Sequence, residues 1–147
     1  QGFTLNQKYP LDHVVRTMSC KISREDHSAS VSVPALVNGL NFFPSPLSHM
    51  FSIVAVLGVV PDLAHANSYA PSHEAYLQLK PVVTCSPWFP SADGSPSIDL
   101  SLQLPSPPPD ENYTLMLTAG VRYGMMSVGN TIKQKKKSGC GKIVMLA

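Results

Sequence analysis

Few residue groups in this sequence could do chemistry, and each competes with a plainer structural role. Gly139-Cys140-Gly141-Lys142 resembles the end of a phosphate-binding loop. That loop requires G-x-x-x-x-G-K-[ST] followed by a helix, so that backbone N–H groups and the helix N-terminus meet the phosphate. Here Lys136 stands where the first glycine is needed, Ile143 replaces the metal-binding hydroxyl, and five residues remain after Lys142. We read the glycines as a turn that launches a final strand. Lys133, Lys135, Lys136 and Lys137 form a basic run that could contact an anion such as a nucleic acid, a lipid headgroup or an acidic glycan. No aromatic residue is interleaved for base stacking, so a solvated loop tip is the plainer expectation and nucleic acid is not the expected partner. The five histidines, His13, His27, His49, His65 and His73, do not pair with a second ligand at metal spacing on any one strand face, although His65, His73 and Glu74 flank one loop. No metal and no cofactor is expected.

Nucleophiles fare no better. The three cysteines, Cys20, Cys85 and Cys140, have no C-x-x-C spacing and allow at most one disulfide; reduced, inert thiols are the expectation. Serines are abundant, but no G-x-S-x-G elbow marks one of them. Asp93, Asp99, Asp110 and Glu111 fall in turns or on an outward face, with nothing to mark a glycosidase pair. Asn112-Tyr113-Thr114 matches a glycosylation sequon. The remaining cluster is aromatic: Trp88 and Phe89, with Tyr69 and Tyr76. An exposed Trp/Tyr platform could stack a sugar ring, since aromatic faces give large, oriented contact surfaces. Alternatively, Pro87 and Pro90 pin Trp88 as a plug at the end of the core, and the flanking prolines favour the plug.

The elements that must position these residues are strands. The chain has 147 residues, 44% of them hydrophobic, 14% charged, and 14 prolines, with a net charge of +2. The length fits a single domain spanning 1–147, and the mild charge gives no argument for a nucleic-acid partner. Met50 to Val60 is apolar apart from Ser52 and Gly58. It is too short to span a bilayer, which takes roughly 20 residues, and its β-branched content predicts a central strand covered on both faces. No transmembrane segment or signal peptide is apparent, and an intracellular location is expected. The first residue, Gln1, leads us to expect the C-terminal part of a longer protein.

Alternation of apolar and polar residues predicts half-buried strands over Arg16–Arg24 (Met18, Cys20 and Ile22 inward), Ser28–Val33, Ser97–Leu104 and Tyr113–Tyr123. The first two should pair as a hairpin turning at Glu25-Asp26-His27. Gly2–Leu5 is expected as an edge strand, Leu11–Val15 as a turn or short strand, Glu74–Val83 as a strand interrupted by Pro81, and Lys142–Ala147 as the closing strand. Ala35–Ser48 reads as a loop whose Phe42, Phe43 and Leu47 lie over the end of the core. Gly129–Gly141 reads as a basic loop. The predicted fold is all-β, a two-sheet antiparallel sandwich of immunoglobulin-like or related type with long Pro-rich loops.

Several fragments in order, Gly2 to Asn6, Phe51 to Asp62, Ser86 to Pro90, Leu100 to Pro105 and Ser138 to Lys142, resemble the C-terminal domain of an uncharacterised family of Bacteroidota proteins. The resemblance covers most of the chain, and its motifs are strand cores, an aromatic corner and a glycine turn. It implies a β domain preceded by a basic N-terminal segment, and it carries no catalytic residue or ligand; the Lys run departs from it. The expected function is a non-enzymatic structural or protein-interaction module, with the parent assembly or a second copy as partner. The alternative is a carbohydrate- or surface-binding module using the Trp88 region.

Overall fold

The computed structural model describes residues 5–6, 8–62, 75–136 and 138–147. In chain order these contain α1 (Leu11–Val14), β1 (Ser19–Ser23), β2 (Ser28–Val33), β3 (Met50–Pro61), β4 (Val82–Cys85), β5 (Phe89–Pro90), β6 (Ile98–Gln103), β7 (Tyr113–Met126), β8 (Ile132–Gln134) and β9 (Cys140–Leu146). All strand pairs are antiparallel. They form two sheets: a small one in the order β1-β2-β6, and a six-stranded one built on β4-β3-β7-β8, with β5 also on β3 and β9 also on β7. The larger sheet curls strongly into a half-barrel.

Alternation fixes the register of both sheets, because a slip of one residue would turn each apolar set to the wrong side. In the small sheet Ala29, Val31 and Val33 face Leu102, Leu100 and Ile98, and all six are buried. In the large sheet Phe51, Ile53, Ala55 and Leu57 lie opposite Tyr123, Val121, Ala119 and Leu117, again all buried. These inward faces merge into one core, joined by Leu11, Val14 and Val15. At the flanks β1 approaches β9 and β4 approaches β6.

Several expectations need correction. The long strand β3 is covered fully on one face only: Val54 and Val56 on its outward face are half-buried and Val60 is exposed, because among the described residues no third layer lies over them. Of the two readings of Leu11–Val15, turn or short strand, the structure has the turn: Leu11–Val14 is one helical turn, since Pro10 (φ −67°) accepts from the His13 and Val14 N–H groups and Val15 N–H closes onto Leu11. The predicted strand from Glu74 begins only at Val82, because Ala75 to Gln78 coil into a turn closed by Leu79 N–H on Tyr76 O (3.1 Å) and Pro81 has no N–H to donate. The basic loop contains a strand, β8, which continues the β7 hairpin. Phe42 is fully buried against Phe51 (centroids 4.3 Å apart), but Leu47 is 71% exposed. The expected first strand lies mostly outside the described residues; Leu5 alone is seen, donating its N–H to Gly141 O at 2.9 Å. The three cysteines are free thiols. Among the described residues no helix is long and apolar enough to cross a membrane, which leaves β-barrel spans unaddressed.

Candidate functional site

Trp88 owes its position to a break in a strand. Along one edge of β3, the pairing Val54↔Cys85 resumes at Phe51↔Phe89 with one residue too many, so Ser86-Pro87-Trp88 bulges. Ser86 repairs the ladder with its side chain: Ile53 N–H donates to Ser86 Oγ (2.9 Å), and Ser86 Oγ donates to Pro87 O (2.8 Å). The buried Ser52 hydroxyl donates to Ser86 O (2.8 Å). Pro87 needs no ladder partner, and the extra residue sends Trp88 over the outward face of the sheet.

There the indole lies against β7. A Cβ at Gly124 would come within 3.0 Å of Trp88 Cζ3 and 2.6 Å of Ile132 Cγ2, so glycine is what lets the ring settle on the strand. The Arg122 guanidinium stacks on the ring at 4.5 Å, a cation–π contact; among the described residues its Nε has no hydrogen-bond partner. Phe89 points the other way, into the core against Phe51 (5.8 Å). Tyr76 lies at the opposite end of the sheet, its hydroxyl on Asp110 Oδ1 and Asn112 O. Tyr69 lies outside the described residues. The structure therefore separates Trp88, Phe89 and Tyr76, and they make no common platform.

It joins Trp88 instead to the basic run. Beyond Gly124, β7 turns into β8 through Ser127–Thr131, closed by Ser127 N–H on Thr131 O (2.7 Å), with Gly129 and Asn130 at positive φ. The hairpin tip is apolar: Val128 is 99% exposed, Met126 54% and Met125 45%. Its return strand carries exposed Lys133 and Lys136, and half-buried Lys135, whose N–H donates to Tyr123 O (2.8 Å). Lys137 lies outside the described residues. The loop before β3 comes to the same end through Ser45 N–H on the Tyr123 hydroxyl (3.3 Å), and the 36–43 loop is held there by Asn38 Nδ2 on Ser91 O (2.9 Å). These loops leave Leu47 and Leu40 (68%) exposed.

The other end has the opposite character. Glu25 and Asp26 at the β1–β2 turn, Asp62 after β3, and Asp110 and Glu111 before β7 gather there. Arg24 ties the group together, donating to Tyr113 O (2.8 Å) and Glu111 O (2.6 Å) and stacking on the Tyr113 ring (4.3 Å). A related asymmetry, missed when the sequence is read for motifs and alternation, can be counted in the chain: after Glu111 it holds six basic and no acidic residues, before Asn112 five basic and nine acidic.

Charged and thiol groups meet in a pocket of about 330 Å³ lined by Asp12, Arg16, Cys20 and Lys142, where Lys142 Nζ pairs with Asp12 Oδ2 at 2.6 Å. Burial pushes the Cys20 thiol up and the Cys140 thiol up to about 11, the reverse of an activated nucleophile. No three metal-ligating side chains cluster among the described residues; His65, His73 and Glu74 lie outside them. A depression of about 500 Å³ on the outward face of the small sheet is lined by serines with Lys21 and Gln103. A groove of about 320 Å³ on the large sheet is lined by Leu5, Val54, Val56, Thr118 and glycines. Neither offers an acid and a base together. No protein-family model matches the chain, and neither a curated protein nor a solved structure does.

Proposed function

We propose that this chain is a non-catalytic interaction module, its two sheets the layers of a β-sandwich, which attaches through its basic, apolar-tipped end. The observation that carries this reading is the exposure of Leu40, Leu47 and Val128 on loops that the fold brings to one end, beside the run from Lys133 to Lys136. Exposed large apolar side chains grouped with charge mark interaction surfaces, whereas scattered ones need no explanation. Sugar stacking gains no support, because Arg122 occupies the Trp88 ring and Tyr76 is elsewhere.

The reading requires that these tips serve attachment and not folding. The variant carrying Leu40→Ser, Leu47→Ser and Val128→Ser should melt within about 6 °C of the native chain, since exposed substitutions usually change stability by less than about 0.5 kcal/mol each. A loss of about 10 °C or more, read by circular dichroism, would show that the tips hold the fold together and would remove the reading.

A further inference from the structure

We propose that the surface this end docks on is an anionic lipid headgroup layer, an inference that rests on the attachment reading above. Three features point to lipid. The first is the form of the apolar contact: Leu40 and Leu47 protrude from the long β2–β3 connection and Val128 from the extreme of the tight β7–β8 hairpin. Protrusions gathered at one end suit a soft apolar phase, which needs no shaped pocket to receive them, and apolar area buried beneath the headgroups adds to binding.

The second feature is charge. Lys133, Lys135 and Lys136 follow the hairpin tip directly, Arg122 lies further down β7, five residues before the turn begins at Ser127, and none of these makes an ion pair within the described residues. Asp93, in the turn after β5, and Asp99, next to the Val33↔Ile98 pair of the small sheet, are acids toward the same end. The acids Glu25, Asp26, Asp62, Asp110 and Glu111 sit at the far end, so the field of an anionic membrane would orient the molecule tip-first. The third is Trp88, half-buried on the same sheet end under Arg122. The ring lies level with Gly124 and Gln134, with Lys133 on its tip side and Lys135 behind it, and an amphipathic ring among basic side chains matches the aromatic level of a lipid–water interface. A second copy could offer its acidic end to the lysines, with Val60 and Leu77 exposed near it, and light scattering without lipid distinguishes that pairing from lipid binding.

The test is co-sedimentation of the whole chain with vesicles of phosphatidylcholine alone and with phosphatidylserine added, at low and high salt. Binding to the anionic vesicles only, weakened by salt, is expected. Replacing Lys133, Lys135 and Lys136 by Gln should weaken it about fivefold per lysine, on the order of a hundredfold together. Val128→Ser should weaken it about tenfold through lost apolar burial, with both variants melting like the native chain. Absence of sedimentation with anionic vesicles, or equal sedimentation of the triple Gln variant, would overturn the lipid assignment. Self-association in light scattering without lipid, abolished by the same substitutions, would also overturn it while leaving the attachment reading intact. Failure of the melting test on the loop tips would remove both.

Discussion

Ser86 shows how one hydroxyl decides where a larger side chain goes. It accepts the Ile53 N–H inside a strand edge and is almost fully buried, so the bulge that exports Trp88 leaves no ladder donor stranded. Ser86→Ala removes that acceptor while keeping the backbone trace, and a buried N–H without a partner costs about 1–3 kcal/mol. Urea unfolding should move by about 2 kcal/mol; an unchanged midpoint would mean that Ile53 N–H is satisfied another way. The proline-bracketed Ser-Pro-Trp-Phe-Pro run was legible in the sequence as a rigid corner. Which face Trp88 takes was not legible, because that depends on Gly124 and Arg122, over thirty residues away in sequence and brought beneath the ring only by the β3–β7 pairing. For the same reason an aromatic cluster drawn from sequence neighbours split apart: Phe89 follows the inward phase of its strand, and Tyr76 belongs to the other end.

The strands with clean alternation were the ones the sequence identified. Ile98–Gln103 alternates buried and exposed without exception, and β2 and β7 follow their predicted phases because each has one wet and one dry face. The failures lie where hydrogen bonding outweighs side-chain pattern. The strand expected from Glu74 starts only at Val82, after a turn closed by Leu79 N–H on Tyr76 O, and β8 is a strand formed because β7 runs on past the core and offers its edge. The β1–β2 hairpin depends on a tertiary anchor that was likewise invisible beforehand. Its turn residue Arg24 bonds two carbonyls at the start of β7 and stacks on Tyr113, while His27, at φ 50°, meets the Tyr113 hydroxyl at 3.0 Å. Arg24→Ala should cost about 2 kcal/mol, since hydrogen bonds from a charged donor contribute roughly 1.5–3 kcal/mol. Amide exchange should accelerate first in β1 and the hairpin turn. Uniform acceleration, with no preference for the hairpin, would contradict the anchoring role.

Across the whole molecule the polarity of charge runs along the strands of the large sheet, acidic where β7 begins and basic where it ends. It was countable from the sequence, but it became an end-to-end separation only once β3, β7 and the two hairpins fixed their directions. Buried titrating groups give the molecule a defined weakness at high pH. Burial, with Asp110 adding to it, raises the Tyr76 hydroxyl from 10.0 to about 12; burial raises Tyr123 likewise and lifts Cys140 from 9.0 to about 11. The unfolded chain therefore loses these protons first, and the stability they contribute, complete below pH 9.0, should fall away as pH climbs through 11 to 12. Asp110, held below its ordinary 3.8 chiefly by the Tyr76 hydrogen bond, has the opposite sign: its contribution is present above that value and fades as the solution becomes more acidic. Melting temperature against pH should show a steep alkaline fall, and a flat profile from pH 9 to 12 would show that these groups are not buried as described. The attachment end can be followed through a single optical probe, because Trp88 is the only tryptophan. The decisive measurement is its emission during titration with phosphatidylserine-containing vesicles, using brominated lipid as the quencher. A blue shift with quenching that salt reverses, and that Val128→Ser diminishes, is the predicted result; an unchanged spectrum at saturating lipid would contradict the account.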